Sequence, residues 1–468
     1  MNKGNNFNIE EAFNIACQNQ KKNNFTKAKE IYSKIIKLQP KFIEAHNNLG
    51  LIFRAEGKVS DAIKCYEKIL EIDPNLINAN INLGIIFQKI GNNKKAINFY
   101  NKVIEVNPNF IMAQYNLGLV FSQLGENEKA IRCYKKVIEV DPNIIDAHNN
   151  LGLLYTDLGK YREAINCYIE ALKYNNNHTK VKKNLINALT YYRPNKINPI
   201  IDIDNLLKNI FNEYKNKFQN QNLENFFRKS FKIIKKIQID FNELEYFESQ
   251  IFRRNSYNLN CSRHHQVFNK HNIIPKFCFK CFKIQIEPRN VIDLVKLFII
   301  FDSFKFPNNN WRKCMIELRP EITGTYKGLI YCSSISEAEK ISNKIHPILQ
   351  KNLKYKISIK RGCSEFYKSF PNYKETNQRD SNFMNFDEKW TEIEKSFDKK
   401  HQKNYKKLRE NLSGFSLSDF LIINHWLNYA KLINDTSYKN LSDDFFYSKF
   451  IIEKMSDQIA FRKKEFSC

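Results

Sequence analysis

Two short pairs of residues in the sequence have the types and spacing for ligand chemistry: Cys261-Ser-Arg-His264 and Cys278-Phe-Lys-Cys281, with 13 residues between them. A Cys-x2-His and a Cys-x2-Cys at that separation could close a tetrahedral zinc site, for which thiolate and imidazole are the ordinary ligands. Thiolates could equally hold an iron–sulfur cluster. Cys332 and Cys363 could join either set. Against a shared site, a strand through Cys278 and Cys281 would turn their thiols to opposite faces, and cysteine is also an ordinary core residue. A further option is catalytic. Cys363 beside His264 or His265 could act as a nucleophile, because an adjacent imidazole activates a thiol. Glu317, Arg319 and Glu321 offer charged groups at a strand end, and Arg361 precedes Gly362-Cys363. Only four of the 13 glycines lie beyond residue 160, and no G-x-x-x-x-G-K or G-x-G-x-x-G occurs, which argues against a phosphate loop.

The elements that would position these residues read as β-α-β-β-α-β over residues 261–363. Alternation predicts strands at 277–287, 312–319, 326–332 and 355–361, and helical spacing predicts helices at 290–304 and 336–350. Residues 320–324 make the turn between the two middle strands. Ser336 with Glu339 reads as a capping box for the second helix. The order is ferredoxin-like. In that topology the first two strands run one way and the last two run back, so Cys278, Cys281, Cys314, Cys332 and Cys363 gather at one end of the sheet. RNA-recognition motifs share this order, and RNA binding is an alternative reading. Lys327-Gly328-Leu329-Ile330-Tyr331 partly echoes their third-strand motif, but Leu329 and Ser334 stand where stacking aromatics belong. Phe277 and Phe279 could stack on bases or lie in the core.

The first third of the chain carries a repeat. Asn14, Asn48, Asn82, Asn116, Asn150 and Asn184 recur every 34 residues. Leu-Gly at 49–50, 83–84, 117–118 and 151–152, Ala28 and its four successors, Tyr32 and its four successors, and Pro40, Pro74, Pro108 and Pro142 keep the same period. Each unit reads as two helices. Gly57, Gly91, Gly125 and Gly159 end the first, and the prolines end the second. The small Gly50 row admits close helix approach with Ala62 and its equivalents facing it, and Tyr66 and its equivalents fill the space towards the next unit. Cys65, Cys133 and Cys167 share one place on the second helix and read as packing residues. One pair cannot bury its apolar face alone, so the pairs stack as an α-solenoid.

This pattern resembles the tetratricopeptide-repeat family over residues 9–176, as five units followed by a helix at 179–192. Ala16 replaces glycine in the first unit, Asn176 replaces proline in the fifth, and Ile186 replaces the small residue in the last helix, as capping elements would. The resemblance implies a right-handed superhelix whose concave face binds peptide or protein segments. It also implies that the asparagines lie on that face. The ladder is similar to that of O-linked N-acetylglucosamine transferases, whose side-chain amides grip the backbone of an extended peptide. An amide offers both a donor and an acceptor, matching a peptide unit whatever its side chains. Neighbouring Asn47, Tyr115 and Asn149 could add selectivity. Nothing after Tyr192 resembles the catalytic region of those enzymes.

The expected organisation is therefore an α-solenoid at 1–192, a helical connector at 193–260 with helices at 204–218 and 222–237, a cysteine-rich α+β domain at 261–363, and a helical tail at 364–468 with helices at 388–411 and 418–434. The expected function is an interaction scaffold for extended peptides, with a C-terminal domain whose alternatives are metal or cluster binding, enzymatic activity, or RNA binding. The 468 residues carry a formal net charge of +26, of which +5 falls within residues 1–178 and +21 beyond. A basic half suits an acidic partner or nucleic acid, although Asn, Lys and Ile are abundant throughout. No apolar run suits a signal peptide or a membrane span, and 11 cysteines without a disulfide pattern suit a reducing compartment. A cytoplasmic location is expected.

Overall fold

The computed structural model describes residues 8–215, 220–235, 244, 246–255, 259–319, 322, 324–377, 379–400, 410–442, 445–455, 459–463 and 466. The chain forms two compact units, Met1–Leu154 and Tyr155–Cys468.

The first unit holds α1 (Ile9–Lys21), α2 (Phe25–Leu38), α3 (Ile43–Ala55), α4 (Val59–Ile72), α5 (Ile77–Lys89), α6 (Asn93–Val106), α7 (Ile111–Leu124), α8 (Asn127–Val140) and most of α9 (Ile145–Asp157). Consecutive helices pack in pairs, and the conserved-period residues explain the pairing. A methyl group on Gly50 would lie 2.9 Å from the Tyr66 ring, and one on Gly118 would lie 2.7 Å from the Tyr134 ring. The glycine row on the first helix is thus the slot for the tyrosine row on the second. The same rings also fill the space towards the next unit, as the sequence reading expects: Tyr66 shares a cluster with Ala79 and Leu83, and Tyr32 with Ala45 and Leu49. Tyr66, Tyr100 and Tyr134 are at most 1% exposed, and aromatic burial of this size is a leading core contribution. Gly91 and Gly125 end their helices at φ of 79° and 75°, a backbone region that favours glycine. A row that sequence reasoning overlooked ties the loops. His46, Asn80, Gln114 and His148 bond the carbonyls of Pro40, Pro74, Pro108 and Pro142 at 2.9–3.2 Å.

The second unit begins with α10 (Tyr161–Tyr174), α11 (Thr179–Leu189), α12 (Pro199–Tyr214) and α13 (Asn220–Ile234). The ends of the expected connector helices, at 218 and 237, lie outside the described residues. Next come β1 (Gln250–Arg253), α14 (Cys261–His271), a short 3-10 turn (Lys276–Lys280), β2 (Phe282–Pro288), α15 (Val291–Ser303), β3 (Arg312–Ile316), β4 (Tyr326–Cys332), α16 (Ile335–Asn352) and β5 (Tyr355–Arg361). The strands form one sheet in the order β1-β3-β4-β2-β5, and every neighbouring pair is antiparallel. The expected turn at 320–324 is described at residues 322 and 324 alone, and Glu321 lies outside the described residues. Ser334, rather than Ser336, caps α16 by accepting from the Glu337 amide at 3.1 Å, so the cap sits two residues earlier than the sequence suggests.

Register divides the sheet into two faces. Ile251, Cys314, Gly328, Ile286 and Ile357 stand on one, through the pairs Ile251↔Cys314, Cys314↔Gly328, Ile286↔Gly328 and Ile286↔Ile357. Gly328 lets the sheet approach Leu297 and Phe301 of α15. Lys283, Gln285, Lys313, Met315, Lys327, Leu329, Tyr331 and Lys360 stand on the other face. After α17 (Trp390–Lys400), α18 (Leu417–Leu432) packs with α15, β1 and β3. Residues 401–409 of the expected tail helix lie outside the described residues. The α18 helix opens on a capping box of Ser416 and Asp419, and its buried His425 and Trp426 bond the carbonyls of Glu248 and Ser249 at 2.7 and 2.9 Å. Buried Arg253 pairs with Asp302 at 2.5 Å and with Asp419 at 2.9 Å. Residues read from sequence as connector, domain and tail thus share one compact unit. Among the described residues, no helix is long and apolar enough to cross a membrane.

Candidate functional site

Two places have the geometry for function. The first is the asparagine ladder of the repeat unit. Asn14 is exposed, and Asn48, Asn82, Asn116 and Asn150 are half-buried on successive first helices. The repeat unit holds several of these amides in place. The Asn48 amide donates to the Tyr32 hydroxyl at 3.2 Å and accepts from Asn47 at 3.4 Å. Asn82 accepts from Arg54 at 2.7 Å, and Asn150 donates to Tyr115 at 3.0 Å. The Asn48 amide also donates to Cys17 Sγ at 3.6 Å. A primary amide carries two donors and two acceptor sites, so Asn48 keeps an acceptor site for a ligand. Asn184, on α11, is also half-buried but belongs to the second unit.

The second place is a cavity of about 330 Å³ over the polar face of the sheet. Cys363 lies at its edge, one residue after Gly362. That glycine has φ of 54°, donates its amide to the Cys281 carbonyl at 2.6 Å and sits under the Tyr373 hydroxyl. Tyr373 in turn donates to the Cys278 carbonyl at 2.6 Å, so the turn presenting Cys363 is fixed from both sides. The Lys283 ammonium lies 3.0 Å from Cys363 Sγ. His265, Cys363 and Glu365 place one side-chain ligand atom each within 4.8 Å of one another. Glu365 pairs with Arg319 at 2.5 Å, Arg319 with Glu317 at 2.9 Å, and Glu317 with Lys327 at 3.0 Å, forming a charged chain along the cavity.

The electrostatics single out one thiol. Burial pushes Cys363 up, but the Lys283 charge and hydrogen bonds from His265 and Lys283 outweigh it, and its pKa lies below the ordinary thiol value. His265 is raised, first by its hydrogen bond to Cys363 and against burial. Lys283 is also raised, because Tyr331, Cys363 and Cys281 outweigh its burial. Burial and the nearby Lys283 bring Lys313 down to about 8. Burial raises the other cysteines around the sheet, with Cys281 and Cys332 each at about 12.

The four residues expected to share a metal do not converge. Among the described residues, the one group of three or more metal-ligand types within such reach is His265, Cys363 and Glu365. Cys261 and His265 lie one turn apart on α14, while His264, one residue earlier, turns away and stacks on Phe277 at 5.2 Å between centroids. Burial then lowers His264 to about 4. Cys278 sits in the apolar cluster of Ile274, Phe279, Phe366 and Tyr373, and Cys281 is buried at the end of the 3-10 turn. The gathering of cysteines at one sheet end holds in part. Cys261, Cys278, Cys281 and Cys363 are electrostatic neighbours, and Cys332 pairs across from Phe282 at the same end. Cys314 is apart, because its partner Gly328 lies further along β4 and its face is the apolar one. Phe279 packs edge-on against Tyr373 and Phe386 and is buried, so it forms no open stacking platform for bases, and Phe277 stacks on His264. His265 and Lys283 received too little weight in the sequence. The signal available for Lys283 was alternation, which puts it on the same face as Gln285 and opposite Ile284.

Family models described as tetratricopeptide repeats match residues 12–42, 43–76, 77–110, 99–132 and 145–178, and one described as a TPR repeat matches 118–159. No curated protein matches the chain. Among solved structures, two crystal structures of MamA are 31% and 30% identical, cover 35% and 37% of this chain and 95% and 94% of their own, with TM-scores of 0.34. YrrB, described as a TPR protein with an unusual peptide-binding site, is 22% identical, with 37% of this chain and 90% of its own covered and a TM-score of 0.33.

Proposed function

The chain belongs to the tetratricopeptide-repeat family through residues 12–178, and from that premise we propose that it is an interaction scaffold whose asparagine rungs hold the backbone of an extended peptide. The observation that carries this reading is that Asn48, Asn82 and Asn150 are half-buried, pinned by neighbours, and spaced by whole repeats. Pinning lowers the ordering cost of binding. Amides that address the main chain give a groove tolerant of partner sequence. The likeness of the ladder to that of O-linked N-acetylglucosamine transferases supports the binding mode and carries no catalytic role. For residues 282–361, the strand order β3-β4-β2-β5 with helices after β2 and β4 supports a ferredoxin-like reading.

The test is a triple substitution, Asn48→Ala, Asn82→Ala and Asn116→Ala, in the full chain. A net hydrogen bond contributes about 0.5–1.5 kcal/mol, so three rungs correspond to an affinity loss of roughly 10- to 1,000-fold. Binding is read by fluorescence anisotropy against a library of unstructured peptides. Unchanged affinity for every peptide the wild type binds would remove the ladder from the groove.

A further inference from the structure

We propose that Cys363 is the nucleophile of an acyl-transfer site whose substrate is an anionic ester or thioester. This rests on the second unit alone and is independent of the peptide-binding reading.

Three observations converge on it. The sulfur lies beside an ammonium and an imidazole: Lys283 Nζ is 3.0 Å away, and a ring nitrogen of His265 lies within 4.8 Å. A thiol so placed gives its proton to the imidazole and reacts as thiolate. The sulfur also borders a cavity of about 330 Å³, room for a small acyl substrate. Finally, the cavity is lined by Lys283, Lys313, Lys327, Lys360 and Arg319 against Glu317 and Glu365, so even with the thiolate counted the cations prevail. That balance favours an anionic substrate.

The cavity suits a thiolate better than a metal. A divalent ion bound to Cys363 Sγ would have an ammonium about one hydrogen-bond length from its own ligand atom, and Glu365 is already engaged by Arg319. Lys283 supplies the counter-charge that a metal would.

The step balances as follows. The Cys363 thiolate attacks the carbonyl carbon, and negative charge moves to the carbonyl oxygen. Lys283, held beside the sulfur, stabilises that oxyanion, as a buried cation aimed at developing charge does. The carbon–oxygen or carbon–sulfur bond to the leaving group then breaks, and His265 gives its proton to that group. Cys363 is left as a thioester and His265 as neutral imidazole. His265 next takes a proton from water, whose hydroxide attacks the thioester. Thiolate and imidazolium are restored, and the acid product ionises to solvent. A second nucleophile in place of water would give transfer instead of hydrolysis.

The probes are the mono-4-nitrophenyl ester of glutaric acid, which carries a carboxylate, and neutral 4-nitrophenyl acetate, both with the purified full chain. The expected result is a burst approaching one equivalent of 4-nitrophenolate, faster by tenfold or more with the glutarate ester. Peptide mapping by mass spectrometry should place the acyl adduct on Cys363. Cys363→Ser should abolish the burst, and His265→Ala should slow it at least tenfold. Lys313→Met should lower the preference for the anionic ester and retain acylation. If Cys363→Ser does not fold, wild-type protein with Cys363 blocked by iodoacetamide takes its place. Acylation elsewhere, a burst that survives loss of Cys363, or no burst from either ester would overturn the proposal. So would one equivalent of tightly held zinc or iron that disappears with Cys363.

Discussion

At the scale of single residues, the most informative contrast is between cysteines that burial silences and the one that it does not. Cys65 and Cys133, which the repeat pattern marks as packing residues, are buried and pushed up to about 11. Cys363 is equally buried at 8% exposure, yet its thiol is lowered because Lys283 and His265 act on the charged form. Nearby cations beat desolvation here because they lie at contact distance, where Coulomb attraction in a poorly solvated site is strongest. The sign follows for reactivity. An ordinary thiol, with a pKa of about 8.5, gains thiolate steeply as pH rises through neutrality. Cys363 is ionised at lower pH, so its rate should climb earlier than that of the others. We expect iodoacetamide at pH 7 to modify Cys363 ahead of Cys278, Cys281 and Cys332, with a rate that rises less steeply towards pH 9 than that of an ordinary thiol. Lys283→Met should restore the steep profile. A Cys363 rate that rises in parallel with that of an unfolded control would show that the two cations leave the thiol unperturbed. Sequence named Cys363 as one of five candidate cysteines and paired it with either His264 or His265. The choice between the histidines depends on the α14 helix, which alternation and spacing did not reveal because residues 261–271 carry little apolar periodicity.

At the scale of elements, the repeat helices were legible because their packing rests on residue types with no substitutes. The glycine and tyrosine rows keep one period since each ring fills the slot that one missing side chain leaves. Each ring lies in the slot of its own pair, as Tyr134 does at Gly118, and also reaches the next unit, as Tyr66 does in its cluster with Ala79 and Leu83. A prediction follows. Gly118→Ala should destabilise the repeat unit by about 1–3 kcal/mol, as overpacking does, even though alanine is the better helix former by about 1 kcal/mol. With Tyr134→Ala in the background the clash is gone, and the same substitution should stabilise. Gly91→Ala is the comparison. Its added methyl meets nothing within 4 Å, so its cost should be the left-handed backbone alone, roughly 1–2 kcal/mol, and should not depend on any tyrosine. Urea melts of the three single variants and the double variant measure the coupling, and additive effects at 118 and 134 would contradict the packing described. The strands at 326–332 and 355–361 were equally legible, through alternation bounded by turn residues. By contrast, β1 was missed. Four residues, Gln250–Arg253, are too few for a period to register, and they are strand only because β3 offers them an edge.

At the scale of the whole molecule, the sequence located the repeats and the sheet but divided the rest too finely. Connector, α+β domain and tail read as three segments because the contacts that join them, such as Phe415 with Phe211, Phe226 and Phe298 and the buried polar groups beside them, link residues far apart in sequence and leave no periodic trace. Arg253 joins Asp302 and Asp419 across long stretches of chain, and His425 joins Glu248. Such groups also make the second unit sensitive to acid. Burial holds both His264 and His425 at about 4, well below the usual histidine value of about 6.5. Between those values the unfolded chain binds a proton at each position and the folded unit does not. Stability therefore falls as pH drops from about 6.5 towards 4, by up to about 1.4 kcal/mol per pH unit for each histidine. His265 acts in the opposite sense. Its raised pKa favours the folded state, fully so below about 6.5, and that contribution is lost as pH rises through the folded value, so it acts above 6.5 and leaves the acid slope unchanged. The net expectation is a melting transition of the second unit that moves down in temperature as pH is lowered from 6.5 to 4.5. Replacing His425 with Asn, which can keep a hydrogen bond to the Glu248 carbonyl without titrating, should make that slope shallower. Replacing His265 with Asn should leave that slope unchanged and remove a loss of stability that wild type shows as pH rises above about 6.5. Scanning calorimetry at half-unit pH steps reads both slopes, and a His425→Asn slope equal to wild type would mean that burial of this imidazole does not set the acid response.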